Sequence, residues 1–134
     1  MEDYAQAALR HWQDAQLLEE HRRIGNADQL YGLAAECAIK KVLVQLPLFA
    51  PDGSLQKEFK YHINLLWDKA GHQSIAKAAP RLPSLLQSNN PFSDWKIDQR
   101  YEAEGAIRAK QLQSHREWAK RLLGAVGLSG VRQP

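Results

Sequence analysis

The chain has 134 residues, 44% hydrophobic and 25% charged, with 18 Lys and Arg against 15 Asp and Glu for a net charge of +3. That is one domain's worth of ordinary globular sequence, enough to bury a single substantial core. A single cysteine excludes an intrachain disulfide and fits a reducing compartment. The mild basicity is compatible with RNA or DNA but suits a neutral partner equally well. The start, "MEDYAQAALRHW", lacks the basic stretch and apolar core of a secretion signal, and no uncharged apolar run approaches the ~18 residues that cross a bilayer. The expectation is a cytoplasmic protein without a membrane partner.

In chain order, Asp3 begins a first helix running to about Arg23, with Ala5, Ala8, Trp12, Ala15 and Leu18 at three- and four-residue steps. Gly25 reads as its left-handed stop, and Asn26 with Gln29 as the capping box of a second helix. Ala27, Leu30, Tyr31, Ala34, Ala38, Val42 and Leu46 form the stripe of that helix, which Pro47 and the "PDGS" turn at 51–54 terminate. A third helix is expected over 60–78, carrying Ile63, Leu66, Trp67 and Ala70 on one side, with Gly71 as a bend or break. Pro80 and Pro83 interrupt the chain, and "LPSLLQSNNPFSDW" reads as a short helical turn and a loop. A last long helix is expected from near Asp98 to about Leu123. The pattern predicts an all-α domain over residues 1–126, an antiparallel up-and-down bundle of four main helices with one short extra helical turn. The "GLSGVRQP" segment at 127–134 reads as a flexible tail.

Within the second helix, Glu36 and Lys40 stand four apart in the order that favours an intrahelical ion pair. The wider context adds a second meaning. The layout "AxxRHWxDAxLL" from Ala7 to Leu18, the alanine-rich "YGLAAECAIKKVL", the segment "YHINLLW" at 61–67 and "DWKIDQRY" at 94–101 follow one another in order. Together, over about a hundred residues, they resemble the HEPN superfamily of small helical bundles.

The resemblance implies a metal-independent ribonuclease, a possible toxin of a toxin–antitoxin pair, with an arginine and a histidine on the last helix. Here those are Arg108 and His115 in "RAKQLQSH". At 3.6 residues per turn they lie about 20° apart around a helix, on one face with Tyr101, Leu112, Ala119, Leu122 and Val126. In the catalytic reading the histidine moves protons, the arginine stabilises a pentacoordinate phosphate, and Glu36 orients Arg108. In the structural reading Arg108 and Glu36 are a buried ion pair and His115 is packed. Arg100 and Tyr101, in "QRY", form a competing candidate, and Glu117 stands where many active members carry a tyrosine.

The resemblance equally accommodates a non-catalytic helical homodimer that binds a nucleotide, a nucleic acid, or a partner protein such as a nucleotidyltransferase or antitoxin. Whether the chain is an enzyme rests on which reading holds. His11, His21, His62, His72 and His115 show no metal-ligand spacing with Cys37 or one another, so no metal or other cofactor is expected. Cys37 reads as a packed small residue, there is no glycine-rich phosphate loop, and the four tryptophans are spread along the chain as core residues would be.

Overall fold

The first helix begins where Asp3 supplies a cap, its carboxylate accepting the Gln6 N–H at 3.0 Å. The computed structural model describes residues 2–103 and 105–128, the Arg100 side chain excepted. It contains five α-helices and, among the described residues, no strand: α1 (Tyr4–Glu20), α2 (Ile24–Leu43), α3 (Ile63–Gly71), α4 (Leu82–Leu86) and α5 (Ala109–Ala125). Two 3-10 turns, at Lys57–Phe59 and Ile97–Tyr101, complete the order. The all-α class is therefore the one that the periodicity indicated.

The reversal between α1 and α2 falls earlier than Gly25. Arg22 is the residue in the left-handed region, at φ 61°. The Arg23 N–H bonds back to the Leu18 carbonyl at 2.8 Å, which closes a Schellman-type cap. With the turn finished by Arg22, α2 starts at Ile24, and Gly25 and Asn26 lie inside its first turn. The two helices pack antiparallel. Trp12 meets Tyr31 edge-on at 5.3 Å, and the Tyr31 hydroxyl donates to Glu19 at 2.7 Å.

Helix α2 is the axis of the fold, in contact with α1, α3, α5 and the second 3-10 turn. Fourteen of its 20 residues are buried, including Asp28, Glu36 and Lys40. One close approach demands glycine. A Cβ on Gly32 would sit 2.1 Å from the Trp95 indole nitrogen, which in turn donates to the Asp28 carbonyl at 3.1 Å. The indole lies directly over the α2 backbone, a contact that any side chain at position 32 would block.

The third helix is shorter than its sequence pattern suggested, nine residues instead of 60–78. Its start is set from outside, because Glu36 Oε1 takes the Ile63 N–H at 3.1 Å while His62 is held extended. It ends at Gly71, where α4 packs so closely that the Leu86 carbonyl would lie 3.2 Å from a Cβ.

The last helix also departs from expectation. It begins at Ala109, not near Asp98. Residues 97–101 instead form a 3-10 turn whose Gln99 side chain reaches into the core, Gly105 takes φ 87°, and Arg108 is extended. The Gln99 anchor and a left-handed glycine override a sequence pattern that would otherwise permit helix. At the other end, Gly127 at φ 77° and the Leu128 N–H bonded to the Leu123 carbonyl at 3.1 Å close α5 in a second Schellman cap. Leu128 packs against the core. Residues 127 and 128 thus belong to the cap, and the remainder of the expected tail, 129–134, lies outside the described residues.

The left-handed Arg22 yields a direct expectation. A non-glycine residue in that region carries about 1–2 kcal/mol of steric cost, partly offset by the greater unfolded-state freedom of glycine. Arg22→Gly should therefore stabilise the domain by about 0.5–1 kcal/mol, seen as a rise in thermal midpoint. A fall would contradict the assigned turn.

Candidate functional site

Two buried carboxylates on α2 organise the polar interior. Asp28 and His115 are both essentially solvent-free, at 0% and 1% exposure. The His115 Nδ1 lies 2.6 Å from Asp28 Oδ1, and its Nε2 lies 2.8 Å from Asp94 Oδ1. With an acceptor at each ring nitrogen, both nitrogens must donate, so the arrangement holds an imidazolium. Phe92 stacks on the ring at 5.2 Å with planes 16° apart.

Each carboxylate is supported in turn. Gln99 Nε2 donates to Asp28 Oδ2 at 2.6 Å, and Gln111 Nε2 donates to Asp94 Oδ2 at 3.1 Å. Gln111 also accepts the Arg108 N–H at 2.9 Å, so the residue that caps α5 steadies the cluster. Burial pulls the His115 pKa down, but the hydrogen bond and charge of Asp28, joined by those of Asp94, outweigh it and leave it raised. Burial pushes Asp94 up, and its bonds to His115 and Gln111 bring it below its ordinary value.

The second centre is Glu36, also buried. Its Oε2 accepts Lys40 Nζ at 3.0 Å, and its Oε1 accepts both the Ile63 N–H at 3.1 Å and His62 Nδ1 at 3.0 Å. The His62 ring is 48% exposed, with Nε2 outside this network. A cleft of about 360 Å³ opens beside it, lined by Lys60, Tyr61, Leu65, Lys96 and Ile97 among others. Neighbouring Cys37 is buried, and burial, reinforced by the Glu36 charge, pushes its thiol up to about 12, so it carries no thiolate at neutral pH.

The residues singled out in the sequence are distributed differently from their expected grouping. Glu36 is not the partner of Arg108; its oxygens are taken by Lys40, His62 and Ile63. Arg108 is exposed at the N-cap of α5, outside the apolar face on which the helical projection put it. The projection fails because that face was drawn on a helix continuous from Asp98, whereas the chain is extended at Arg108. His115 is in the core as its stripe position implied. Tyr101 is 76% exposed at the end of the 3-10 turn, not on α5, and the Arg100 side chain lies outside the described residues. Glu117 is exposed and faces Arg116, 3.7 Å from its Nε.

Asp28, Asp94, Gln99 and His62 are the members that sequence reasoning passed over. One signal was available for Asp28. It interrupts the buried face of α2 formed with Gly32, Ala35 and Ile39, as His115 interrupts that of α5. Two polar interruptions of opposite charge preference on two packed helices point to each other. Among the described residues, no group of three or more His, Cys, Asp or Glu is arranged to hold a metal ion, and no helix is long and apolar enough to cross a membrane. Compared with protein-family models, curated proteins and solved structures, the chain matches none.

The raised His115 pKa fixes the sign of a pH dependence. Below the unfolded value of about 6.5 both states hold the proton, so the stabilisation is complete. As pH rises past it, the unfolded chain gives up a proton that the folded ring retains, and stability falls until the folded pKa is passed. The lowered Asp94 pKa acts at the acid end, its contribution being lost as pH falls below about 4. Thermal midpoints should thus peak between about pH 4 and 6.5 and decline above, by at most about 1.4 kcal/mol per pH unit from this group. His115→Phe should flatten the alkaline decline. An unchanged slope in that variant would contradict the imidazolium assignment.

Proposed function

We propose that the chain is a HEPN-like helical module, a variation on the four-helix bundle, whose work is binding and whose Arg108 and His115 do not form an RNA-cleaving pair. The observation that carries this reading is the double occupation of His115. A general base needs a lone pair that a substrate can reach, and a general acid needs its proton directed at a leaving group. The His115 nitrogens are instead taken by Asp28, buried beside it, and by Asp94 at the surface, while the ring itself is 1% exposed. Arg108, exposed at the N-cap, is no part of that cluster. The binding reading takes a nucleotide, a nucleic acid or a partner protein, such as a nucleotidyltransferase or antitoxin, as the ligand.

The test is incubation of purified protein with mixed-sequence RNA in the absence of divalent metal. Wild type and His115→Ala should both leave the RNA intact. Cleavage by wild type that is lost in folded Arg108→Ala and folded His115→Ala, by the ~10²–10⁴-fold a proton-transfer group typically contributes, would overturn the binding reading and restore the ribonuclease.

The same reading includes a symmetric pair of chains. Its support is the resemblance to a family whose domains commonly pair through their helices; the exposed large apolar side chains, Leu17, Leu48, Leu65 and Tyr101, are spread over separate elements. Sedimentation should give a dimer at tens of micromolar protein, roughly the range in which ordinary interfaces are filled. A monomer there would contradict the pairing.

A further inference from the structure

We propose that the cleft beside His62 is a binding site for a small phosphate ester carried on a flat apolar group, with His62 Nε2 as a direct contact and Glu36 as the residue that positions it. The proposal rests on the binding reading above and assigns a place and a chemistry to it. Glu36 alone is explained by structure, since it caps the first turn of α3 and pairs with Lys40. His62 is not explained in that way. Its Nδ1 is held by a buried carboxylate, while nearly half of the side chain is left open to solvent. With Nδ1 engaged by Glu36, Nε2 is the ring nitrogen outside that network, and His62 is part of the cleft lining. This is how a histidine is oriented for contact with something outside the protein.

What lies outside is a cleft of about 360 Å³ whose walls are Tyr61, Leu65 and Ile97 and whose polar members include Lys60 and Lys96. Leu65 is 54% exposed, an apolar surface without cover in the folded chain. Lys69 lies over the Tyr61 ring at 4.7 Å, adding a third cation nearby. The acidic groups in reach do not cancel this charge. Glu36 is neutralised by Lys40, and Glu2 stands 3.9 Å from Lys60 in a half-exposed pair that contributes little. Asp98 sits in the cleft lining and leaves a net positive set.

The His62 imidazole and the Lys60 ammonium from one segment, with the Lys96 ammonium from another, supply several donors to one anion. Phosphate, with three free oxygens in a tetrahedron, uses such a set more fully than a planar carboxylate. The apolar walls select for a ring attached to that phosphate.

Phenyl phosphate is the probe, followed by calorimetry and by ¹⁵N shifts of the His62 ring. Wild type should bind it saturably in the millimolar range or tighter, about −4 kcal/mol or better, and perturb Nε2. Phenol and benzoate should bind at least tenfold more weakly. His62→Ala and Lys96→Ala should each weaken phenyl phosphate at least tenfold; neither residue holds the core, so both variants should fold. In the unliganded neutral ring the proton should reside on Nδ1, facing Glu36. Unchanged affinity in His62→Ala and Lys96→Ala, benzoate binding as tightly as phenyl phosphate, or a neutral wild-type ring protonated on Nε2 would each overturn the proposal. RNA cleavage dependent on His115 would instead overturn the binding reading and leave this titration interpretable by itself.

Discussion

An imidazolium held between two carboxylates is the constraint around which the rest of this structure is arranged. His115 on α5 reaches Asp28 on α2 and Asp94 on the long connection, so one charged ring fastens three parts of the chain that are distant in sequence. In a nonpolar interior, a charged group is tolerated only when its partners are complete. Removing His115 leaves the Asp28 carboxylate buried without its counterpart, at a cost of about 3–5 kcal/mol, whereas Asp94 is exposed and its loss leaves His115 still paired with Asp28. The cluster therefore specifies one register of α5 against α2 more sharply than the surrounding alanines and leucines can.

The position of Asp28 reinforces this. It lies in the second turn of α2, near the end where the helix macrodipole favours negative charge. The same stretch of backbone receives the Trp95 indole, admitted by the bare Cα of Gly32. Through Asp28, then, α2 fixes Trp95, Gln99 and His115 at once. Glu36, two turns further along, does the same for His62 and the start of α3. These two carboxylates explain how the stretch between α2 and α5, with only two short helices and two 3-10 turns, is tied to the core.

The two centres differ in what they offer to the outside. At His115 each polar atom has a partner within the protein, and the ring is closed off by Phe92. At His62 one nitrogen is committed and the ring stands at the wall of an open cleft. Chemistry and recognition need accessible groups, whereas register and stability need satisfied ones. That division assigns structural work to His115 and Asp28 and ligand contact to His62.

Sequence alone determined the helical class, the antiparallel first pair and the burial of Ala8, Trp12, Ala15, Tyr31 and His115, because each depends on periodicity within one helix. It also placed Glu36 beside Lys40, a local i,i+4 relation. It did not determine where α3 and α5 begin. Those boundaries were decided by side chains arriving from elsewhere, Glu36 at Ile63 and Asp28 at Gln99, and no local pattern contains them. The pairing of His115 with Asp28 across 87 residues, and not of Arg108 with Glu36, was likewise a tertiary decision. A helical projection orders residues around one axis, but it carries no information about which buried charge the neighbouring helix presents.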